Sequence, residues 1–223
     1  MLILGVDTSG KNGSIALVRF EHGSPRTLEV VPLEGGTFSV QLVPQISDAL
    51  NRHNLTKHDI DAFAVASGPG SFTGLRVGLA AIKALAEVLQ KPIAAVSLLE
   101  AVVRDAGLEG ELVAALDAGR GEVYVADFHV SGSHATARDQ QLLPLAEFIS
   151  ANRHRQIVTP EAKMAELARE KGMRVTQVNR PRADAIAKLS FKKIQAGEVI
   201  SPESLDANYI RRSDAEIRKP GNQ

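Results

Sequence analysis

The stretch Ser67-Gly-Pro-Gly-Ser-Phe-Thr-Gly-Leu-Arg-Val-Gly-Leu-Ala-Ala-Ile-Lys-Ala-Leu-Ala-Glu87 runs a glycine-rich loop straight into a helix that is apolar on nearly every side. Its polar residues from position 74 to 90 are Arg76, Lys83, Glu87 and Gln90, which fit on one narrow strip of a 3.6-residue period. The remainder falls into two apolar stripes. Leu75, Leu79, Ile82, Ala86 and Leu89 form one; Gly74, Gly78, Ala81, Leu85 and Val88 form the other, about 100° away around the axis. One stripe can cover a sheet of the same chain. The second needs another partner, because a soluble protein seldom leaves so much apolar surface in water. Two glycines four residues apart would let a second helix approach closely, so the helix reads as a subunit contact.

The 223 residues suffice for one large or two modest domains. Hydrophobic residues at 44% and charged residues at 23% are ordinary globular usage and exclude a wholly disordered chain. No run approaches the roughly 20 apolar residues needed to span a bilayer. The start, Met1-Leu-Ile-Leu-Gly-Val-Asp7, lacks a basic leader and reads as a first strand, so a cytoplasmic protein without a membrane partner is expected. Cysteine is absent, which removes disulfides, thiolate zinc sites and a cysteine nucleophile. Bases and acids balance at 26 each, yet residues 153–193 hold 11 Lys/Arg against four Asp/Glu. Such a basic region can steer a polyanion. Solvated helix faces are the favoured reading, and with two Tyr and no Trp base stacking is a poor fit.

The opening run at 2–6 predicts a strand that ends in Asp7-Thr8-Ser9 and turns through Gly10 and Gly13 into a second strand at 14–20. A third strand near 27–32 and a helix from about 39 to 53 follow, with Pro44 tolerable only near the helix's first turn. Strands at 61–66 and 92–96 alternate with helices at 74–90 and 98–105, which implies a parallel portion of sheet beside an antiparallel meander. The pattern of strand, terminal Asp, glycine turn and second strand returns at 111–128, offset by 110 residues. Helices near 144–151, 161–171 and 182–196, with strands at 156–159 and 174–178, complete the second part. Two similar α/β halves are expected, 1–108 and 109–223, with 204–213 a docked extended tail and 217–223 frayed.

Asp7, Thr8 and Ser9 put a carboxylate and two hydroxyls at a strand's C-terminal end, where α/β folds hold ligands. The carboxylate can orient a magnesium-bound phosphate or cap its own turn; the sequence leaves both open. Gly68, Gly70 and Gly74 are spaced G-x-G-x-x-x-G, one residue off the dinucleotide fingerprint, and no Lys-Ser/Thr follows as a phosphate loop requires. Ser71 does not fit a nucleophile elbow. The six histidines include no i,i+4 pair, so neither a helical metal site nor a catalytic residue is assigned.

Leu2-Ile-Leu-Gly-Val-Asp-Thr-Ser9, Ser67 to Gly78 as quoted above, 92–99, Leu116-Asp-Ala-Gly-Arg-Gly-Glu-Val-Tyr124 and Asn208-Tyr-Ile-Arg211, in that order, resemble the TsaB (formerly YeaZ) family. These are bacterial tRNA threonylcarbamoyladenosine (t6A) biosynthesis proteins. The resemblance implies a duplicated actin-like ATPase fold of ribonuclease H-like type, and a non-catalytic accessory subunit that docks onto the catalytic subunit TsaD. It further implies the ATPase TsaE at their junction, self-association when alone and indirect contact with tRNA. Docking would use helices 39–53 and 74–90, giving Leu42, Ile46, Gly74, Gly78, Ala81, Leu85 and Val88 as interface residues. Leu98 and Val102 match the positions of TsaD's metal-binding histidines and cannot ligate, while Phe38 stands where the family often has His. No cofactor is required, although ATP or ADP near the partner interface is compatible, with Asp7, Thr8, Ser9, Gly68 and Gly70 as its candidate contacts. The alternatives are a nucleotide-dependent phosphotransferase of the same fold and, weakest, a glycoprotease-like peptidase.

Overall fold

The computed structural model describes residues 1–132, 134–208 and 210. Tyr209, residues 211–213 of the expected tail, and the expected frayed end at 217–223 lie outside the described residues.

Two five-stranded sheets with the same internal order make up the framework. In the first, β1 (Leu2–Asp7) is central, flanked by β2 (Gly13–Glu21) and then β3 (Ser24–Leu33) on one side, and by β4 (Ala62–Gly68) and then β5 (Ile93–Ser97) on the other. The β1–β2 and β2–β3 pairs are antiparallel, and β1–β4 and β4–β5 are parallel. The second sheet repeats this plan around β6 (Gly110–Gly119), with β7 (Glu122–Ser131) and β8 (His134–Pro144) antiparallel on one side and β9 (Gln156–Thr159) and β10 (Arg174–Gln177) parallel on the other. Strand β8 is absent from the sequence expectation. Its Ala-Arg-Asp-Gln-Gln run is a solvent-facing edge, where pairing to β7 sets the strand without an apolar alternation to announce it.

The helices are α1 (Phe38–Arg52), α2 (Phe72–Leu89), α3 (Leu98–Asp105), α4 (Leu145–Ala151), α5 (Ala162–Glu170) and α6 (Ala183–Gln195). Alternate residues of the central strands feed different cores, as the pleat demands. Leu4, Val6, Ile15, Leu17, Phe63 and Val65 meet α1 and α2 on the outer face of the first sheet. Val113, Ala115, Val123 and Val125 meet α4 and α5 on the outer face of the second. Between the sheets, Ile3, Ala64, Leu112, Ala114 and Phe128 join α3 and α6 in a single apolar cluster.

Chain order divides the sheets near residue 108 but does not divide the helices in the same way. Helix α6 belongs by sequence to the second half yet packs on the first sheet. A Cβ at Gly5 would lie 2.2 Å from the Ala183 carbonyl oxygen, the Ala183 amide donates to Ser14 Oγ at 3.0 Å, and the Phe191 ring stacks on Phe20 with centroids 3.9 Å apart. The segment after α6 stays with the first sheet too: Ile200 bridges to Ile93 on the edge strand β5, Leu205 is fully buried, and the Asn208 amide donates to the Ser67 carbonyl at 2.7 Å. Helix α3 makes the reverse exchange, resting chiefly on β6 and β7. The two halves thus share a core rather than standing as independent units.

Pro44 also corrects the sequence expectation, since it sits seven residues into α1, beyond the first turn. It is exposed, so the helix lacks one backbone hydrogen bond on its solvent side.

Candidate functional site

Strand β1 ends where α2 begins, and the two are locked together. The Thr8 hydroxyl donates to the Gly74 carbonyl at 2.8 Å, and the Ser71 amide donates to the Ser9 carbonyl at 2.7 Å. Glycine is required on the α2 side because there is no room for anything larger. A Cβ would lie 2.3 Å from the Ser9 carbonyl oxygen at Gly70, 2.1 Å from the Thr8 carbonyl oxygen at Gly74 and 2.3 Å from Thr8 Oγ1 at Gly78. Ser71 caps the helix by accepting from the Gly74 amide at 3.2 Å, which accounts for its hydroxyl without a nucleophilic role.

Asp7, Thr8 and Ser9 are all buried. Asp7 Oδ1 accepts from the Ser9 amide at 2.9 Å and from the Ser9 hydroxyl, so of the two roles the sequence leaves open the carboxylate performs the turn-capping one. Burial pushes its pKa above the ordinary carboxylate value, against the Ser9 hydrogen bonds and the Arg180 charge, which lower it. Of the glycine-loop amides, that of Ser71 is taken by the Ser9 carbonyl.

The packing also corrects four of the expected interface residues. Leu42 and Ile46 are 1% and 5% exposed because they turn inward onto the first sheet. Gly74 and Gly78 are buried against Thr8, so the close approach their missing side chains allow is to their own strand and not to a foreign helix. Burial falls along that stripe: Ala81 and Leu85 are half-buried and Val88 is 75% exposed. The first stripe behaves as its spacing predicts, with Leu75, Leu79, Ile82 and Ala86 buried and Leu89 half-buried.

The apolar residues that do face solvent on these helices are Val40, Val43 and Pro44 on α1 and Ala80, Ala84 and Val88 on α2, with Val40 68% and Val43 53% exposed. Sequence reasoning missed most of these. A signal was present: Val40 and Val43 fall off the buried 38–42–46–49 period of α1, and Ala80, Ala84 and Val88 form an i,i+4 row of their own. Next to this face the N-terminal ends of α1 and α2 converge on an open cleft of about 420 Å³, lined among others by Lys11, Asn12, Ser39, Thr73 and Val77.

Leu98 and Val102 are buried in the shared core between the sheets. Among the described residues no group of three or more His, Asp or Glu side chains is placed to hold a metal ion, and no helix is long and apolar enough to cross a membrane.

Two sheets of identical order, each with helices on its outer face and two exchanged helices between them, define the duplicated actin-like, ribonuclease H-like class of α/β proteins. The fold is that of YeaZ from Pseudomonas aeruginosa, with a TM-score of 0.74 over 93% of this chain and 99% of that one at 24% identity. Residues 30–201 match the family described as TsaD, tRNA N6-adenosine threonylcarbamoyltransferase, and the chain belongs to that family, on its TsaB/YeaZ branch. It is 27% identical to the tRNA threonylcarbamoyladenosine biosynthesis protein TsaB of Escherichia coli (strain K12), with 100% of both chains covered. The TsaB protein of Bacillus subtilis (strain 168) is 36% identical over 125 residues, 56% of this chain and 53% of the relative.

Proposed function

We propose that this chain is the non-catalytic accessory subunit of the t6A tRNA-modification machinery and that it docks onto the catalytic transferase, TsaD, through the solvent faces of α1 and α2. The observation that carries the proposal is the set of apolar side chains, Val40 and Val43 on α1 and Val88 on α2, that the fold leaves uncovered. The full-length likeness to a relative named for t6A biosynthesis supplies the process. An apolar helix face of this kind is the ordinary core of a protein–protein interface, with a polar rim around it.

Catalysis is assigned to the partner, and the strand-end carboxylate, which caps its own turn, supports that assignment. This chain needs no cofactor for the docking role. ATP or ADP, if part of the assembly, belongs at the partner interface, beside the 420 Å³ cleft and Lys11. TsaE is placed at the junction of the two subunits, self-association of the free chain on the same face, tRNA contact through the complex, and the whole assembly in the cytoplasm.

The test is reconstitution of tRNA modification from purified components, starting from preformed threonylcarbamoyl-adenylate, with and without this chain. Product that depends on the chain, together with a stable complex with the transferase, is the expected result. Full modification by the transferase in its absence, or micromolar Mg-ATP binding by the isolated chain in calorimetry, would contradict the assignment, the latter in favour of a phosphotransferase.

A further inference from the structure

The excess of positive charge in 153–193 is not spread evenly. Arg155 pairs with Asp127, Arg180 with Glu161, Arg182 and Lys188 with Asp184, and Lys193 with Glu100, so much of the charge is neutralised locally. Arg153, Arg169, Lys171 and Arg174 have no carboxylate partner among the described residues, and all four are exposed. They lie on two stretches, 152–155 and 169–174, the second running from the last turn of α5 to the first residue of β10, that lead into the neighbouring parallel strands β9 and β10 from the same end of the second sheet. Arg174 stands opposite Gln156 in that pairing, and its guanidinium donates to the His154 carbonyl at 2.9 Å, which ties the two connections together. Glu170 is the one carboxylate on these two segments.

We infer that this end of the second sheet is a contact for the phosphate backbone of the tRNA. The inference rests on the reading of the chain as a subunit of a tRNA-modifying assembly. Exposed cations without acidic partners gain most from phosphate oxygens, and they do so by releasing the counterions condensed on the nucleic acid. The neighbouring Phe148 is fully buried and His154 is the one exposed ring on these connections, so the contact reads chiefly backbone rather than sequence. Helix geometry separates this cluster from the other unpaired lysines: Lys163 is eight residues back along α5 from Lys171, and Lys192 lies on α6 against the other sheet.

The experiment compares two double variants in complex with the catalytic transferase, Arg153→Glu/Lys171→Glu and Lys163→Glu/Lys192→Glu, which change net charge equally. Affinity for unmodified tRNA is measured across a salt series, and association with the transferase is measured on the same preparations. The first variant is expected to bind the transferase as wild type does, to bind tRNA about tenfold or more weakly, and to flatten the dependence of log K on log salt by roughly 1.5, the loss of about two phosphate contacts. The second variant is expected to stay within about twofold of wild type. Equal tRNA affinity of the two doubles in an intact complex overturns the inference and leaves the accessory role standing. Failure of the wild-type chain to bind the transferase overturns the functional reading, and the inference with it.

Discussion

Thr8 Oγ1 sits in the space that a side chain at residue 78 would need: a Cβ built on Gly78 falls 2.3 Å from that hydroxyl, while the same hydroxyl donates to the Gly74 carbonyl at 2.8 Å. The first strand and the long apolar helix are therefore fitted to each other atom against atom. The glycine spacing of α2 records this internal joint.

That joint makes Gly78→Ala a folding variant. Helix propensity alone would make it stabilising by about 1 kcal/mol. Overpacking against Thr8 is expected to outweigh that, with a net loss of roughly 1–3 kcal/mol in denaturant unfolding. Thr8→Ala removes the obstructing oxygen, so in Thr8→Ala/Gly78→Ala the Gly78→Ala penalty should largely disappear. A double-mutant cycle measures the coupling. Additive single effects would show that the two positions do not compete for the same space.

Asp7 gives a pH signature whose sign follows from its raised pKa. In the unfolded chain the carboxyl titrates near its ordinary value of about 3.9. In the fold it takes up a proton at higher pH, so wild-type stability gains from this group as pH falls through the folded value toward the ordinary one. Asp7→Asn keeps an oxygen to accept the Ser9 hydrogen bonds and has no charge to desolvate. It is expected to be at least as stable as wild type at neutral pH, with the advantage shrinking on acidification. Stability curves for both proteins from pH 7 to pH 4 check this; an advantage that grows as pH falls contradicts it.

The segment after α6 closes the edge of the first sheet. Leu205 is fully buried among the outer-face residues of that sheet, and Ile200 bridges to Ile93. Leu205→Ala is expected to cost about 2–5 kcal/mol by loss of burial and creation of a cavity. A loss well under about 1 kcal/mol in urea unfolding would show that this segment is not part of the cooperative core.

Much of the framework was legible because unbroken apolar runs mark strands buried on both faces and a period of 3.6 marks the buried face of a helix. Leu2 to Val6, the repeat around Asp117 and the first stripe of α2 announce themselves in this way. Edges and exchanges were not legible. Strand β8 is polar on its exposed positions and is held by β7, and nothing in the residues of α6 says which sheet it covers. The second stripe of α2 misled for a related reason. Glycines at 74 and 78 mark a close approach, and sequence alone does not say whether the approaching group is another chain or the end of β1. Likewise Leu42 and Ile46 carry the inward period of α1, so the surface residues are the off-period Val40 and Val43. The turn-capping role of the Asp7 carboxylate could be settled only by seeing that Ser9 folds back onto it.

The central claim is that the solvent face of α1 and α2 binds the catalytic transferase, and binding of the purified chain to that partner tests it most directly. Val43→Glu and Val88→Glu alter residues that are 53% and 75% exposed, so unfolding of the free chain should change by no more than about 0.5 kcal/mol. Wild type is expected to bind in calorimetry, and the double variant at least about a hundredfold more weakly, a loss of roughly 2.7 kcal/mol. Undiminished affinity in a folded Val43→Glu/Val88→Glu protein, or no affinity in wild type, would contradict the account.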